Sequence, residues 1–475
     1  MPQEIIIAGK LIKTNETLEI KNPYDASIID TIFLADKNHI ENAIQAGIKA
    51  EKLTKSLSRY QKKEILYKIS NLIEKNFDDL GLTITKEAGK PISTSKVEVS
   101  RSIFTFRVAA EELNQSHDEI VPLDLIQSSE GRWGILKRFP KGLISAITPF
   151  NFPLNLVTHK LAPSILAGNP FILRPSSQTP LTALKLGKII IEAGYPLEAV
   201  NIIPCDSNIA EPLISDDRIK LFTFTGSPDI GWMLKDKANK KDVALELGGN
   251  AGVIIEPDCN VDYAVSRCIL GSFSYSGQTC ISVQRIYINN SIYNETLDKL
   301  IEKSKQIKTG NPIDTDTVVG PIINKAEADR IMSWIGEAVD NGAKIALGGN
   351  RLSDTLIEPS ILTNVNPKMK VSCKEIFGPV VIVYPYDNPL NAISEINNSI
   401  YGLQAGIFTN NFELIQYAFD EIEVGGLIIN DIPSYRIDNM PYGGIKDSGM
   451  GREGIKYALE HQTYAKLMVI NRNYK

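Results

Sequence analysis

Apolar residues recur at helical spacing through the first hundred residues of the chain. In two stretches, 38–57 and 60–85, they return every three or four positions with charged residues between them, which is the pattern of helices that bury one face. From about Gly142 the pattern changes to short apolar runs with helical patterns, such as 181–193, between them. The runs occupy 143–147, 171–173, 200–203, 221–224 and 243–245.

This alternation of short apolar runs and helical patterns predicts parallel strands joined by crossover helices. A nucleotide site is then expected at the carboxyl ends of the strands. A second cycle starts with the run at 251–255 and the helix-like stretch 261–276, and continues to the run at 424–430. It predicts a second α/β domain. The β-like run at 463–470 is typical of a terminal strand that completes a sheet with another element or another subunit.

Composition narrows the class of protein. The 475 residues are 43% hydrophobic and 23% charged, enough for two or three domains with their own cores. A net charge of −5 gives no general attraction for nucleic acid or anionic lipid. The first apolar stretch, 5–7, is too short for a signal peptide, and no later run approaches the ~20 apolar residues that span a bilayer. We therefore expect a cytoplasmic protein without nucleic acid or membrane partners.

Cysteine and histidine usage argues against metal and disulfide sites. The five cysteines show no C-x-x-C spacing and the four histidines are scattered, so neither a disulfide framework nor a metal centre is predicted. Cys280 nevertheless stands out, because it follows a Gly-Gln turn and precedes a strand-like run. Taken alone, such a thiol is more often a packed core residue than a nucleophile.

Three further segments carry candidate chemistry, although each has a more ordinary interpretation when taken alone. Glu246 ends an apolar run and is followed by two glycines, which let the backbone approach a ligand; it could equally be a salt-bridged surface carboxylate. The Gly226 to Gly231 spacing enters a predicted helix whose first amides could face a pyrophosphate. Asn151, braced by Pro149 and Pro153, could donate to an oxyanion or be a turn residue.

Together these segments resemble the aldehyde dehydrogenase superfamily, in order and spacing, over nearly the whole chain. The matching motifs are Pro149-Phe-Asn-Phe-Pro153, Phe224-Thr-Gly-Ser227, Glu246-Leu-Gly-Gly249, Ser276-Gly-Gln-Thr-Cys280, Glu375-Ile-Phe-Gly-Pro379 and Pro441-Tyr-Gly-Gly444. The resemblance implies an α/β fold with a Rossmann-type cofactor domain (1–118 and 141–245), an α/β catalytic domain (246–430) and a small β oligomerisation element (119–140 and 455–475). A homodimer or homotetramer is the implied assembly.

The resemblance also implies a mechanism. Cys280 matches the nucleophile that attacks the aldehyde, Asn151 with the Cys280 amide matches the oxyanion hole, and Glu246 matches the base that hydrolyses the thioester. Lys160 and Glu453 match residues that relay protons. Branches that transfer the acyl group to coenzyme A usually lack the glutamate, so hydrolysis to the free acid is favoured over coenzyme A acylation. A non-catalytic relative of the same fold is a further alternative, against which the retained Cys280, Glu246 and Asn151 argue.

The same resemblance places a nicotinamide cofactor, NAD or NADP, and no metal. The implied cofactor residues are Ile147, Thr148, Pro149, Phe150, Arg174, Ser176, Ser177, Gly226, Ser227, Gly231, Leu247, Gly248, Glu375 and Phe377. The chain departs from the family at Arg174-Pro-Ser-Ser177, where the usual pattern is a lysine with a glutamate three positions later. Without that carboxylate, and with Arg174 able to hold a phosphate, NADP becomes plausible while NAD is not forbidden.

The positions that line the family's aldehyde tunnel are occupied here by Arg107, His159, Thr279 and Arg436. Two guanidinium groups favour a small aldehyde that carries a carboxylate, phosphate, phosphonate or sulfonate, or a hydroxyaldehyde. The segment from Ser434 to Pro441 resembles branches that act on lactaldehyde, glyceraldehyde, its 3-phosphate and phosphonoacetaldehyde. The alternative is that either arginine forms a structural ion pair outside the pocket.

Overall fold

The structure, a computed structural model, describes residues 2–115 and 117–473. Its helices are α1 (Lys37–Ser56), α2 (Arg59–Lys75), α3 (Phe77–Ala88), α4 (Ile92–Glu112), α5 (Asn155–Ala167), α6 (Pro180–Ala193), α7 (Pro212–Ser215), α8 (Pro228–Lys237), α9 (Val261–Phe273), α10 (Tyr293–Ser304), α11 (Lys325–Asp340), α12 (Lys370–Cys373), α13 (Pro389–Asn397), α14 (Phe412–Glu421) and α15 (Ile455–Gln462).

Its strands are β1 (Ile5–Ile7), β2 (Lys10–Ile12), β3 (Glu16–Lys21), β4 (Ile28–Leu34), β5 (Glu119–Pro122), β6 (Arg132–Pro140), β7 (Ile144–Ile147), β8 (Phe171–Arg174), β9 (Val200–Ile202), β10 (Leu221–Thr225), β11 (Asp242–Glu246), β12 (Ala251–Ile255), β13 (Val283–Asn289), β14 (Lys344–Leu347), β15 (Ser360–Thr363), β16 (Val380–Tyr386), β17 (Tyr401–Gly402), β18 (Gln404–Phe408), β19 (Gly426–Ile429), β20 (Ile445–Lys446), β21 (Gly449–Met450) and β22 (Thr463–Asn471).

The first large sheet has the order β2-β1-β9-β8-β7-β10-β11-β21. Its five central strands, from β9 to β11, are parallel and confirm the five apolar runs predicted from the sequence. From β7 the chain winds outwards in one direction through β8 and β9, and in the other through β10 and β11. The crevice at such a reversal, between the carboxyl ends of β7 and β10, is where α/β sheets bind ligands.

Helices cover both faces of this sheet. Phe171 and Leu173 of β8 share a core with α2, α4, α5 and α6, whereas Ile172 faces the opposite core, which contains Ile40 and Ile44 of α1. This division follows from the alternation of side chains along a strand. Among the described residues, no helix combines the length and apolar character needed to cross a bilayer.

The second large sheet has the order β14-β15-β16-β13-β12-β18-β19 and confirms the predicted second α/β unit. All its strands except β14 run parallel. The carboxyl-terminal strand β22 pairs along its whole length with β6, which also pairs with β5. The strand predicted at 463–470 thus completes a small sheet within its own chain.

Two features of the amino-terminal region differ from the sequence expectation. The stretch 60–85 forms two helices, because Asn76 ends α2 and begins α3 while its side chain donates to the carbonyl of Leu72 at 2.8 Å. A short polar side chain that bonds to nearby backbone competes with helix propagation in this way. Strands β1 to β4 precede the helices, and the helical pattern did not reveal them. Of these, β1 and β2 form the edge of the first sheet.

Candidate active site

A cavity of about 850 Å³ opens beside the carboxyl ends of β7 and β10. It is lined from both large sheets and their loops, and its walls include Asn151, Glu246 and Cys280. Three residues selected from separate sequence motifs therefore meet in one concave site, at the position that the strand order predicts.

A strained turn presents Cys280 to the cavity. After α9, Tyr275 and Ser276 adopt left-handed φ values of 51° and 57°, which cost energy in residues other than glycine. The turn is held because the Tyr275 hydroxyl donates to Ala88 (3.2 Å) and the Ser276 hydroxyl to Gly320 (2.7 Å). Gly277 continues the turn at φ 66°, where a Cβ would collide with the Gly378 carbonyl.

Cys280 is partly buried in the cavity wall, and its thiol has one polar side-chain contact among the described residues. Its Sγ lies 3.0 Å from the hydroxyl oxygen of Tyr442. Burial raises the pKa of the thiol to about 12, and the hydrogen bond with Tyr442 acts in the opposite direction. In this state the thiol is held largely neutral at pH 7.

Asn151 lies in the loop after β7 and is 5% exposed. Its carboxamide nitrogen donates to the carbonyl of Gln278 at 3.0 Å, two residues before the thiol. A carboxamide has two N–H donors, so one remains for an oxygen bound in the cavity. The motif asparagine is thus braced against the loop that carries Cys280.

Glu246 ends β11 and is 6% exposed. Its Oε2 has no hydrogen-bond partner among the described residues. Burial raises the pKa of Glu246 well above its usual value, and the nearby Glu453 carboxylate raises it further, while Arg436 and Lys160 oppose the shift. An unpartnered carboxyl group with a raised pKa is a typical general base.

Lys160 and Glu453 lie behind Glu246, around a small cavity of about 20 Å³. The Lys160 ammonium is 3.6 Å from one Glu453 oxygen and Arg436 donates to the other at 2.8 Å. Burial opposes ionisation of Glu453, but Arg436 and Lys160 together hold its pKa below the usual value. The structure therefore brings both predicted relay residues next to Glu246.

The walls of the cavity nearest the first sheet suit a dinucleotide. Gly226 and Ser227 line the cavity and lead into α8, and no side chain of the described residues caps the first amides of that helix. Free amides at a helix start bind phosphate. The hydroxyl groups of Thr148 and Thr225, at the ends of β7 and β10, are likewise buried without partners in the described chain.

The predicted nicotinamide residues also line the cavity. Glu375 accepts from the Gly249 amide at 2.9 Å, lies so close to Gly248 that a Cβ there would collide with it, and has its pKa raised by burial to about 7. Phe150 and Phe377 meet edge to face, with ring centres 5.9 Å apart. The remaining predicted cofactor residues that reach the cavity are Pro149 and Leu247.

Six predicted cofactor residues do not line the cavity, and Thr148, which is buried after the end of β7, is one of them. Ile147 and Gly231 are buried, with Gly231 of α8 close to Leu247. Arg174 donates its Nε to the Cys205 carbonyl at 3.2 Å, and Ser176 accepts from the Gln178 amide at 3.2 Å. Ser177 is exposed in the turn after β8.

The structure corrects the choice of arginine on α4. Arg107 does not line the cavity; its guanidinium pairs with Glu74 at 2.6 Å on an exposed face. Arg101, on the same helix, lines the cavity together with Thr279 and Arg436. Arg101 and Arg107 are six positions apart, which places their side chains about 120° apart around the helix axis. The two arginines of α4 therefore point to different environments.

The predicted role of His159 is likewise corrected. His159 is 2% exposed, does not line the large cavity, and bonds through Nε2 to Asp438 at 2.8 Å. Asp438 also accepts two hydrogen bonds from Arg101, at 2.6 and 3.1 Å, and one from Asn155 at 3.2 Å. Although burial opposes it, His159 and Arg101 keep the pKa of Asp438 well below its usual value. His159 thus supports Arg101 from behind.

A doubly wound sheet whose cavity is lined by a thiol, a buried carboxyl group and the start of a helix is typical of oxidoreductases that bind a dinucleotide. Residues 11–468 match the sequence profile of the aldehyde dehydrogenase family. The chain belongs to this family and is an NAD(P)-dependent aldehyde dehydrogenase.

Relatives cover essentially the whole chain. It is 42% identical over 468 residues to 3-sulfolactaldehyde dehydrogenase from Priestia megaterium (98% of both chains), and 38% identical over 472 residues to lactaldehyde dehydrogenase from Methanococcus aeolicus (98% of this chain and 100% of the relative). Among solved structures, aldehyde dehydrogenase 21 from Physcomitrella patens in complex with succinate is 41% identical with a TM-score of 0.97, covering 100% of this chain and 99% of that one. Glyceraldehyde-3-phosphate dehydrogenase from Methanocaldococcus jannaschii complexed with NADP is 36% identical with a TM-score of 0.93, covering 97% and 100%.

Sequence reasoning missed three side chains of the site: Arg101, Asp438 and Tyr442. Tyr442 belongs to a motif that was recognised, but the motif gave its hydroxyl no role. Arg101 and Asp438 are 337 positions apart in the chain, and nothing in the local sequence of either indicates the pairing. Only Asp438, two residues after Arg436, could have been found by inspecting the neighbours of a predicted residue.

Proposed function

We propose that this enzyme oxidises a small aldehyde bearing an anionic group to the carboxylic acid, through a thioester on Cys280 that Glu246 hydrolyses. The observation that carries the proposal is the presence of two guanidinium groups, Arg101 and Arg436, in the cavity that holds Cys280. Both arginines are already ion-paired, to Asp438 and Glu453. They are therefore fixed in position before a substrate arrives.

In the first half of the reaction the Cys280 thiolate attacks the aldehyde carbon. A C–S bond forms and the carbonyl π electrons move to the oxygen, where the free N–H of Asn151 donates to the developing charge. NAD(P)+, when bound, accepts the hydride that leaves the aldehyde carbon. As the hydride leaves, the C=O bond is restored and the acyl group remains on Cys280 as a thioester.

In the second half Glu246 takes a proton from a water molecule, which attacks the thioester carbon. The C–S bond breaks, Cys280 leaves as a thiolate, and the acid is released. The raised pKa of Glu246 makes it a stronger base than an exposed carboxylate. Lys160 and Glu453, which lie behind it, can relay the proton away from Glu246.

For the cofactor, the residues we assign to the phosphates are Gly226 and Ser227 at the start of α8. Glu375 and Phe377 are assigned to the nicotinamide ribose and ring, and Ser177 to the surroundings of the adenosine ribose. The unpartnered amides and hydroxyls described above support this assignment.

The names of the relatives agree with an anionic substrate. Sulfolactaldehyde, glyceraldehyde 3-phosphate and the succinate found in one solved structure carry a sulfonate, a phosphate and a carboxylate, and lactaldehyde carries a hydroxyl group. Arginine pairs with each of these groups through charge-assisted or ordinary hydrogen bonds. We propose the class of substrate and not one of these compounds.

The test is a panel of short aldehydes assayed with NAD and with NADP by the absorbance of the reduced cofactor. Aldehydes with a sulfonate, phosphate or carboxylate are expected to exceed propanal in kcat/KM by on the order of 100-fold. Free acid should form without coenzyme A, which separates this function from coenzyme A acylation. Cys280→Ala should abolish oxidation while cofactor binding persists. Equal or better use of propanal would overturn the anionic substrate.

A pre-steady-state measurement tests the role of Glu246. Glu246→Gln should slow thioester hydrolysis more than hydride transfer, because the amide cannot take a proton from water. A burst of reduced cofactor should therefore appear or grow. If turnover and burst are both unchanged, another group is the base.

For the assembly, we propose a homo-oligomer built on β22. This edge strand exposes Leu467, Met468 and Val469 in succession, so apolar side chains on both faces of the small sheet meet solvent. Light scattering of the purified enzyme should give a multiple of 52.5 kDa, and Met468→Asp should lower that mass. A monomeric wild-type enzyme would contradict this assembly.

A further inference from the structure

Tyr442 is a buried residue of the recognised motif at 441–444 for which the mechanism above has no use. It is 3% exposed and packs with Ile281 and Leu403 beside Cys280. Its backbone forms an antiparallel bridge with Glu453, with N···O distances of 3.1 and 2.6 Å in the two directions. Both the side chain and the backbone of Tyr442 are therefore held in place.

The hydroxyl of Tyr442 points at the reacting atom. It lies 3.0 Å from Cys280 Sγ, and in the described chain no other side chain is hydrogen-bonded to that sulfur. When the thiol is neutral, either group can donate. When the sulfur is a thiolate only the phenol can donate, and the contact becomes a charge-assisted O–H···S⁻ hydrogen bond.

Two features keep the phenol a donor. The guanidinium carbon of Arg436 lies 3.7 Å from the centre of the Tyr442 ring, within cation–π distance, and its positive charge polarises the O–H group. Burial raises the pKa of the Tyr442 hydroxyl well above its usual value. Arg436 lowers that pKa, but burial is the larger effect and favours the protonated phenol.

We propose that Tyr442 is an additional catalytic residue, whose hydroxyl donates a hydrogen bond to the Cys280 thiolate and thereby makes the nucleophile available. The inference rests on the proposed function in one respect, namely that Cys280 is the nucleophile. It does not depend on the identity of the aldehyde or on which arginine binds it.

Several charged groups face the sulfur and act together with Tyr442. Glu375 and Glu246 disfavour the thiolate, whereas Arg436 favours it. The Tyr442 hydroxyl differs from the carboxylates and from Arg436 because it touches the sulfur directly and can be removed without changing the charge of the site. Tyr442→Phe keeps the ring under Arg436 and deletes only the donor.

The experiment measures alkylation of Cys280 by iodoacetamide against pH, with the modified peptide quantified by mass spectrometry so that other cysteines do not contribute. Loss of one hydrogen bond to an ionised sulfur should move the pKa by about one unit. Because a less acidic thiol is also intrinsically more nucleophilic, Tyr442→Phe should be about three- to tenfold slower than wild type at any pH below the midpoint. Tyr442→Phe should also lower kcat/KM for the aldehyde, and it should leave the KM for the cofactor unchanged.

Tyr263→Phe is the matched control, since Tyr263 is an exposed tyrosine of α9 that does not line the cavity, and its profile should coincide with wild type. Melting temperature and cofactor binding verify folding, and the alkylation is repeated in the cold so that a modest loss of stability does not remove the measurement. A Tyr442→Phe profile that superimposes on wild type would overturn the inference. Aldehyde oxidation retained in Cys280→Ser would instead overturn the proposed nucleophile, whatever the tyrosine result.

Discussion

The two arginines of α4 offer a test in which one is the matched control of the other. Arg101 lines the cavity, has a side chain 23% exposed and pairs with Asp438, whereas Arg107 has a side chain 42% exposed and pairs with Glu74 on the surface. Replacing each with glutamine removes one positive charge from the same helix. If the proposed anionic substrate binds in the cavity, only Arg101→Gln removes a substrate contact.

The magnitude follows from the setting of Arg101. Two unit charges about 4 Å apart at an effective dielectric constant of about 20 attract by about 4 kcal/mol. Asp438 already neutralises part of the charge of Arg101 and water reaches the side chain, so the contribution falls to that of one charge-assisted hydrogen bond, about 2 kcal/mol. This corresponds to a loss of about 30-fold in kcat/KM for the anionic aldehyde.

The assay compares the preferred anionic aldehyde with propanal in both variants, by absorbance of the reduced cofactor. Arg101→Gln should lower kcat/KM about 30-fold for the anion and by less than about threefold for propanal. Asp438 retains His159 and Asn155 as donors, which should preserve the fold. Arg107→Gln should leave both substrates unchanged.

Two results would refute this reasoning. If Arg101→Gln lowers activity toward propanal as much as toward the anion, the substitution has damaged the site and Arg101 is not a substrate contact. If Arg107→Gln produces the substrate-selective loss, the cavity assignment on α4 is wrong.

Three further predictions concern pH, the cofactor and stability. Because burial raises the pKa of both Cys280 and Glu246 and each must be deprotonated in its proposed role, kcat/KM should rise with pH from the neutral into the alkaline range, and a flat pH–rate profile would contradict these roles. Ser177→Glu should shift the kcat/KM ratio toward NAD, since a carboxylate accepts from a ribose hydroxyl and repels a 2′-phosphate; an unchanged ratio would place Ser177 away from the ribose. Glu98→Gln leaves the fully buried Lys90 without its counterion and should lower the free energy of unfolding by about 3 to 5 kcal/mol, as measured by denaturant titration. The control is Lys96→Met, which removes an exposed ion pair and should change the free energy of unfolding little.

The parts of the fold that could be predicted are those that give a local periodic pattern of apolar and polar residues. Strands β7, β8 and β10 of the first sheet are buried almost throughout, on both faces, and so appear as short apolar runs. The amino-terminal strands are different, because β3 is largely exposed and alternates weakly, and β1 is too short to give a period. The break at Asn76 depends on one side-chain hydrogen bond, which a search for apolar spacing does not detect.

Some residues of the site could likewise be predicted from local sequence, and others could not. Cys280, Glu246 and Asn151 lie at the ends of strands or in loops whose chemistry is local, and motifs therefore identified them. The arginines of α4 look equivalent in sequence, since each follows apolar residues at helical spacing. Only the packing of α4 against α5 and the location of Asp438 decide which one reaches the cavity. Long-range pairing of this kind is outside the reach of local pattern.

Glu246 and Glu453 are two buried carboxyl groups of the same site whose pKa values are shifted in opposite directions. Glu453 contacts two cations and has its pKa lowered, whereas Glu246 has an oxygen without a partner and has its pKa raised in part by the charge on Glu453. Two titratable groups whose pKa values are pushed apart are the usual arrangement of a fixed anion beside a base. Arg436 connects this pair to the thiol, because the same guanidinium binds Glu453, lies over the ring of Tyr442 and lines the cavity. The charge that we assign to substrate recognition therefore also influences the acidity of the proposed nucleophile and of the proposed base.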